Sequence, residues 1–460
     1  MLKKKIKIFV FVDTDIAIRH FIKSGAFFHI NQNHDVTYIF NEDDTSEKPA
    51  TYTDPSSLEL RKVKTTKIPR KRTGEWFPLY MASVIKQQKG LPNFKPRVKD
   101  AINQNGISFV IKSYLRSFPL IYNIFRIITI KRLGIDESLL NLIRLEKPDV
   151  IIHPSILQGY YINELIQVKD KFGIPVILLM NSWDNPSAKA VSTGLPSKIV
   201  VWGEQSKQHS IEYLKFPKKI INIFGAAQFD IYKKPSNLSR HALCKIFNVP
   251  KNKKIIVYAG SGAGSHETKY LIALDEAINK NILKNTHIIY RPHPWRGGLG
   301  KEEKNFFELN LQNITMDPHM VEYYKNQITN PDRKVFMIDY KISNMLLKLA
   351  DALISPLSTM LIESMIFGKP ILVFFPKEYN EKGLSVDEVH FSELIRTKDV
   401  ITVFKFEELM GGLIKLNAII GDKVICKRLK KSSQFFHYSD KKTYSEKLND
   451  LAINVYKSVF

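Results

Sequence analysis

Three clusters of polar and glycine residues interrupt apolar runs where core sequence would otherwise continue. In YAGSGAGSHET (258–268), Gly260, Gly262 and Gly264 follow an apolar run directly. Glycines there allow a tight turn and close approach of backbone N–H groups, which suits a phosphate if a helix N-terminus follows. A plain strand-to-helix turn would use the same residues, and the spacing is neither Walker A nor GxGxxG, so it names no cofactor. In YRPHPWRGG (290–298), His293 stands between Pro292 and Pro294, with Arg291 and Arg296 nearby. The prolines stiffen the backbone. A fixed histidine beside guanidinium groups suits a phosphorylated leaving group, whose developing charge calls for charge-assisted hydrogen bonds. A rigid surface loop is the alternative, and no second metal ligand lies at a recognisable spacing. In DALISPLSTMLIESMIFGKP (351–370), Pro356 stops a strand, Ser358 and Thr359 are expected to cap the next helix, and Glu363 stands one turn into it. A carboxylate contributes nothing to apolar packing. Just past an anion-binding helix terminus it could accept hydrogen bonds from ribose hydroxyls; capping plus a structural glutamate is the alternative. Gly368-Lys369-Pro370 closes that helix and starts the next strand.

The first half of the chain offers a different chemistry. Asp13, Asp15 and His20 follow the first apolar run, and Asp184 lies in NSWDNPSAK. Transfer to an acceptor hydroxyl needs a base, and any of these four could serve. His20 has an ordinary pKa suited to the work, although a lone helical histidine is more often structural. Trp183 could stack on a sugar or fill the core. Residues 225–230, GAAQFD, are expected to shape a cleft near a hinge.

The elements that would position these residues follow an α/β rhythm. KIKIFVFV (5–12) and HDVTYIFN (34–41) read as strands, the first with so little alternation that it suits a parallel sheet covered on both faces. Residues 41–60 read as a surface loop, 73–145 as mixed helices, and GLPNFKPRVKD (90–100) as an extended linker. Strands then alternate with helices: PDVIIHPS, IPVILLMNSWDNP, KIVVWG and KIINIFGAAQFD. After a polar joint at 233–254, KKIIVYAG, THIIYRPHP, NITMDPH, VFMIDY, DALISP and PILVFFP form a second series. This predicts two doubly wound α/β domains, residues 1–240 and 241–460, with a last helix near 440–458 that can cross back onto the first. Ligands of open α/β sheets sit outside the carboxyl ends of the strands, and each polar cluster falls at such an end.

Composition narrows the partners. A chain of 460 residues exceeds one ordinary core. It has no apolar run long enough to span a membrane. The apolar stretch of MLKKKIKIFVFVD is short and ends at Asp13 and Asp15 without a small-residue cleavage site, so it reads as a first strand. Two distant cysteines, Cys244 and Cys426, suit the cytoplasm. The net charge is +24, densest from Arg61 to Arg72, but no nucleic-acid-binding motif accompanies it. An anionic membrane surface or polyanionic acceptor is the expected partner, and nucleic acid is not.

These residues resemble GT-B-type glycosyltransferases of bacterial surface polysaccharide biosynthesis, the capsule and lipopolysaccharide enzymes among them. The resemblance spans most of the chain and is best in the WGEQSKQH–FGAAQFD pair, RPHP and SPLSTMLIESMIFGKP. It implies two Rossmann-like domains facing across a cleft, an N-terminal one for the acceptor and a C-terminal one for a nucleotide-linked donor. His293-Pro294 with Ser358-Thr359 is similar to the His-Pro and Ser-Thr motifs of CMP-sugar-using transferases. Arg291-Pro292-His293-Pro294 with the same pair is similar to CDP-glycerol glycerophosphotransferases. Ser-Thr…Glu363 before Gly-Lys-Pro resembles UDP-sugar enzymes, whose glutamate binds ribose. The resemblance thus implies a UDP- or CMP-linked donor, no separate cofactor and no metal, with Gly260, Gly262, Gly264, Arg291, His293, Pro294, Ser358, Thr359 and Glu363 at the nucleotide and Asp13, Asp15, His20 or Asp184 as base. Glu363 has no glutamate eight residues before it, so a retaining EX7E pattern is absent and inversion is preferred. The place of work would be the cytoplasm, at the inner face of the cell membrane. A CDP-alditol phosphotransferase, a non-hydrolysing sugar-nucleotide epimerase and a noncatalytic nucleotide-binding protein are the rivals.

Overall fold

A computed structural model describes residues 5–41, 64–68, 73–155, 161–260, 267–294, 306–329, 338–376 and 387–459. The chain forms two compact units, residues 1–230 with 436–460, and residues 231–435.

The first unit is built on seven parallel strands: β1 (Lys7–Val12), β2 (Asp35–Asn41), β3 (Lys64–Ile68), β4 (Val150–His153), β5 (Val176–Leu179), β6 (Lys198–Val201) and β7 (Ile221–Ile223). Their order is β3-β2-β1-β4-β5-β6-β7, so the winding reverses between β1 and β4. Ile8 is in register with Val36 on one side and Val150 on the other. Successive residues Ile8, Phe9 and Val10 are all fully buried, which explains why the run lacks alternation: both faces are covered. Asp149 fixes the entry to this pair, its Oδ2 accepting the Lys7 N–H at 2.8 Å.

The second unit repeats the plan with β8 (Lys254–Ala259), β9 (Thr286–Arg291), β10 (Ile314–Met316), β11 (Ala352–Ser355), β12 (Ile371–Phe374) and β13 (Ile401–Val403). The order is β10-β9-β8-β11-β12-β13, again all parallel, with the reversal between β8 and β11. Here Asp351 plays the part of Asp149, accepting the Ile255 N–H at 2.8 Å. Both sheets are therefore Rossmann-like, as expected, and the helix Tyr444–Lys457 belongs to the first unit.

Several boundaries differ from the sequence expectation. The units divide at Asp230–Ile231 rather than near 240, because Asn344 binds the 231–236 segment to the second unit: its Nδ2 donates to the carbonyls of Ile231 and Lys234, and its Oδ1 accepts the Ser236 N–H. The stretch 90–100 is no extended linker but enters the helix Phe94–Asn105; Pro96 lies in its first turn, where a missing N–H costs nothing. Of VFMIDY, residues 335–337 lie outside the described residues, and Asp339 caps the helix Tyr340–Leu349 through the Lys341 N–H. The expected 41–60 loop lies outside the described residues beyond Asn41. GAAQFD (225–230) grips the returning chain within the first unit. Gly225 has φ +93°, and a Cβ there would fall on the Tyr438 carbonyl oxygen and 2.8 Å from His437 Cε1. The Ala226 N–H donates to His437 Nδ1 at 2.9 Å, and Asp230 accepts the Tyr444 N–H.

Candidate functional site

Open α/β sheets take ligands outside the carboxyl ends of their strands, at the topological switch point, and several of the residues singled out in the sequence lie at strand ends. In the second unit this point lies between β8 and β11. Ser355, the last residue of β11, donates from Oγ to the Ala259 carbonyl at 3.1 Å and shares a hydrogen bond with Ser358 Oγ at 2.9 Å. The two strand ends are thus tied together, and Ser358 is half-buried beside them.

Glu363 is buried in the short helix Met360–Ile366. Its Oε2 accepts the Tyr232 hydroxyl and its Oε1 accepts Thr359 Oγ1 at 3.4 Å. Tyr232 packs edge-on against Phe367 at 5.2 Å. Burial and the neighbouring Glu363 carboxylate raise the Tyr232 phenol well above its ordinary pKa, so it remains a donor. The expected cap is not made by Thr359. That residue occupies the cap position with helical φ −65° and ψ −21° and no side-chain cap bond; a capping side chain needs extended backbone to reach the next turn's N–H groups. Its hydroxyl serves Glu363 instead.

Gly260 has a local reason to be glycine: a Cβ would fall on Glu267 Oε2 and 3.0 Å from its Cδ. Glu267 is buried and accepts the Tyr290 hydroxyl at 2.8 Å. Gly262 and Gly264 lie outside the described residues. Arg291, at the end of β9, is buried and donates to Asp317 Oδ2 and Ser343 Oγ, both at 3.2 Å. Asp317 Oδ1 also accepts the His319 N–H. The guanidinium thus fastens β9 to the end of β10 and to the helix Tyr340–Leu349. His293 and Pro294 follow, both half-buried, and the His293 carbonyl accepts the Tyr324 hydroxyl at 2.7 Å.

In the first unit, Asp13 directly follows β1 and His153 ends β4, on the two sides of the switch point. Both are buried, and the His153 ring stacks on Phe11 at 5.6 Å. Burial lowers the His153 pKa more than the Asp13 charge raises it, so the ring is neutral near neutral pH. His20 sits in the π-helical turn Ile18–Ile22, its Nδ1 3.0 Å from the Asn181 carbonyl. That contact puts the proton on Nδ1. Burial, then the Arg19 charge, push the pKa down to about 3, so His20 is a weaker base than its residue type implies. Asp184, beyond β5, pairs with Lys189 at 2.7 Å. Trp183 is buried against Phe436, ring edge to face at 6.1 Å, and fills the core. The Asp15 side chain lies outside the described atoms.

Sequence reasoning missed His153, Tyr232, Glu267 and Asp317. Three had a usable signal: His153 and Asp317 directly end or follow strands, and Glu267 is an acid at the entry to the helix Thr268–Asn279 that follows the glycine turn. Tyr232 had none, since its contact spans 131 positions. Among the described residues, no group of three or more His, Cys, Asp or Glu side chains could hold a metal ion, and no helix is long and apolar enough to cross a membrane.

No family model matches the chain, and no curated protein matches it. Solved structures do. A glycosyltransferase from Rickettsia africae is 14% identical with TM-score 0.52, each chain covered over 99% of its length. The S. aureus MnaA–UDP co-structure is 11% identical, TM-score 0.52, covering 99% of this chain and 98% of that one. The wall teichoic acid polymerase TagF is 12% identical, TM-score 0.51, covering 99% of this chain and 90% of that one. The likeness is one of fold, and the fold is GT-B: two Rossmann-like units in one chain, each built on parallel strands, matched over nearly the whole chain.

Proposed function

We propose that this chain is a glycosyltransferase that moves a sugar from a UDP- or CMP-linked donor to a hydroxyl of a surface-glycan or lipid-linked acceptor, with inversion, in the cytoplasm. The observation that carries the reading is the pairing of contents at the two switch points: a buried carboxylate with a neutral histidine in one unit, and hydroxyls with a second carboxylate in the other. The second unit takes the donor. Ser358 and His293 address the phosphate, Pro294 holds the His293 backbone, and Glu363 is the carboxylate for the ribose hydroxyls. Gly260, with Gly262 and Gly264, lets the chain turn beside the phosphates. Arg291 acts through position, by anchoring the strand that presents His293.

The first unit takes the acceptor, and Asp13 is the base. It accepts the acceptor's proton as the hydroxyl oxygen bonds to the anomeric carbon. The bond from that carbon to the phosphate oxygen breaks, and the nucleotide leaves with the electron pair. Asp13 is preferred over His20 because it directly follows a strand at the switch point, whereas His20 lies in a helical turn with its Nδ1 on the Asn181 carbonyl. It is preferred over Asp184, which lies beyond β5, away from the switch point between β1 and β4. Asp15 stands as a reserve candidate on sequence grounds. No metal is assigned a role; fixed donors can neutralise a leaving group.

A second reading is transfer of an alditol phosphate from a CDP-alditol with release of CMP; the likeness in fold to a wall teichoic acid polymerase supports a surface polymer as the product. Epimerisation without an acceptor is a third, and the likeness in fold to the UDP-bound MnaA supports UDP as the nucleotide. A binding screen against UDP, GDP, CDP, CMP and their sugar conjugates, with His293→Ala and Glu363→Ala, tests the common core. One nucleotide should bind, and both changes should weaken it. Product analysis with and without acceptor then separates the readings, and binding of none refutes all three.

A further inference from the structure

The helix pair Ile107–Ser117 and Pro119–Leu133 in the first unit is turned inside out for a water-facing structure. On the first helix, Ile107, Ile111 and Leu115 recur at intervals of four and are all exposed. On the second, Leu120, Ile124, Ile127 and Ile128 form a matching exposed stripe. Phe118 at the turn between them is exposed as well, and Leu120 beside it reaches 81% exposure. The inward residues of the second helix are Tyr122 and Thr129, and Tyr122 shares a hydrogen bond with buried Ser83 at 2.8 Å. A helix packed on a core and facing water shows the opposite pattern. Scattered apolar residues on a surface need no explanation, but a contiguous stripe over two helices marks an interaction site.

The charge around the stripe selects the partner. Residues 101–135 contain five basic side chains, Lys112, Arg116, Arg126, Lys131 and Arg132, and no acidic one. Lys112, Lys131 and Arg132 are exposed beside the apolar stripe. A second copy on this face would bring the same cations together with no carboxylate from the stretch to meet them. An apolar stripe with flanking cations and no acids is the pattern of a helix lying in the interface of an anionic bilayer.

We infer that this helical hairpin docks the protein on an anionic lipid surface, Phe118 and Leu120 leading, with the apolar stripe in the acyl boundary and the lysine and arginine heads at the phosphates. The inference deepens the proposed acceptor class, since a lipid-linked acceptor is met at such a surface. It does not depend on turnover, so the two can fail separately.

The test is sedimentation of the full chain with vesicles of phosphatidylethanolamine and phosphatidylglycerol, against vesicles of phosphatidylcholine alone. The wild type should partition to the anionic vesicles, and Leu120→Gln/Ile124→Gln/Ile128→Gln should lower partitioning at least tenfold. Lys112→Gln/Lys131→Gln/Arg132→Gln should remove the preference for anionic lipid, as should high salt. The apolar triple variant exposes less hydrocarbon and should melt no lower than the wild type. Failure of the wild type to sediment with anionic vesicles overturns the inference. So does unchanged partitioning of the apolar variant, or a wild-type dimer that this variant converts to monomer, which would assign the face to a second copy. Loss of nucleotide binding or transfer in some other variant would leave the vesicle result standing.

Discussion

Replacing Tyr232 by phenylalanine removes one hydroxyl and tests how the carboxylate at the second switch point is held. Tyr232 and Glu363 are 4% and 3% exposed, so water replaces the lost donor poorly. The phenylalanine ring keeps the packing on Phe367, which makes the cavity contribution small. What remains is a buried hydrogen bond to a charged group, worth about 1.5–3 kcal/mol. Thr359 Oγ1, at 3.4 Å from the other oxygen, is too distant to compensate. In a unit of this size that loss lowers its melting temperature by roughly 3–12 °C. The effect should not change on the alkaline side, up to about pH 9, because the Tyr232 phenol is held far above its usual range and stays protonated. Urea unfolding without nucleotide, followed by fluorescence, measures it, with Thr359→Val as the weaker comparison. A loss below about 0.5 kcal/mol, within the usual scatter of surface substitutions, would refute the view that Tyr232 holds Glu363 in place.

Gly225→Ala forces a side chain into positive φ and onto the Tyr438 carbonyl, and should cost about 2–5 kcal/mol; limited proteolysis should then release the segment after 436 faster than in the wild type. Gly260→Ala should cost about 1–3 kcal/mol by displacing Glu267, and a cycle with Glu267→Ala should recover much of it; additive losses would refute the contact. His20 and His287 have pKa values lowered to about 3 and about 4, so the unfolded chain binds more protons than the folded one below about pH 6.5. Their stability contribution is complete above that pH and falls as the solution is acidified through the window, by up to about 1.4 kcal/mol per pH unit each; His20→Gln should flatten the acid limb of a melting-temperature profile. Asp13→Asn should lower kcat about 100-fold or more while nucleotide affinity stays within twofold; unchanged kcat would pass the role of base to another residue.

The strands were legible because their residues face cover on both sides: KIKIFVFV and KKIIVYAG carry an unbroken apolar signal that only a two-sided parallel sheet requires. β3 and β13 were not. β3 reads KTTKI and is mostly exposed, and β13 has three residues, so their pairing is decided by the neighbouring strand rather than by their own sequence. The helix entering at Pro96 was hidden by a residue that breaks a helix interior but not its first turn. At the candidate site, residue types drew attention to strand ends, while the side chains they bond to stayed invisible. Arg291 is committed to Asp317, 26 positions away, and Glu363 to Tyr232, 131 positions away. Such pairs are fixed by sheet order, which local spacing does not encode.

The two units start their switch points alike and finish them differently, and that contrast bears on division of labour. At the strand starts, Asp149 and Asp351 accept the N–H of the strand beyond the reversal, each at 2.8 Å. These contacts set the register of β1 against β4 and of β8 against β11, and through rigid strands they fix the carboxyl ends. At those ends the first unit places Asp13 and His153, groups able to take or hold a proton. The second unit places Gly260, Ser355 and Ser358, groups that supply backbone room and hydroxyl donors. A proton acceptor suits the nucleophile of a transfer reaction, and hydroxyl donors suit the oxygen that leaves with negative charge. Duplicated architecture with unlike strand ends suits a reaction with one nucleophile and one leaving group, and in the proposed reaction the acceptor would meet the first unit and the nucleotide the second.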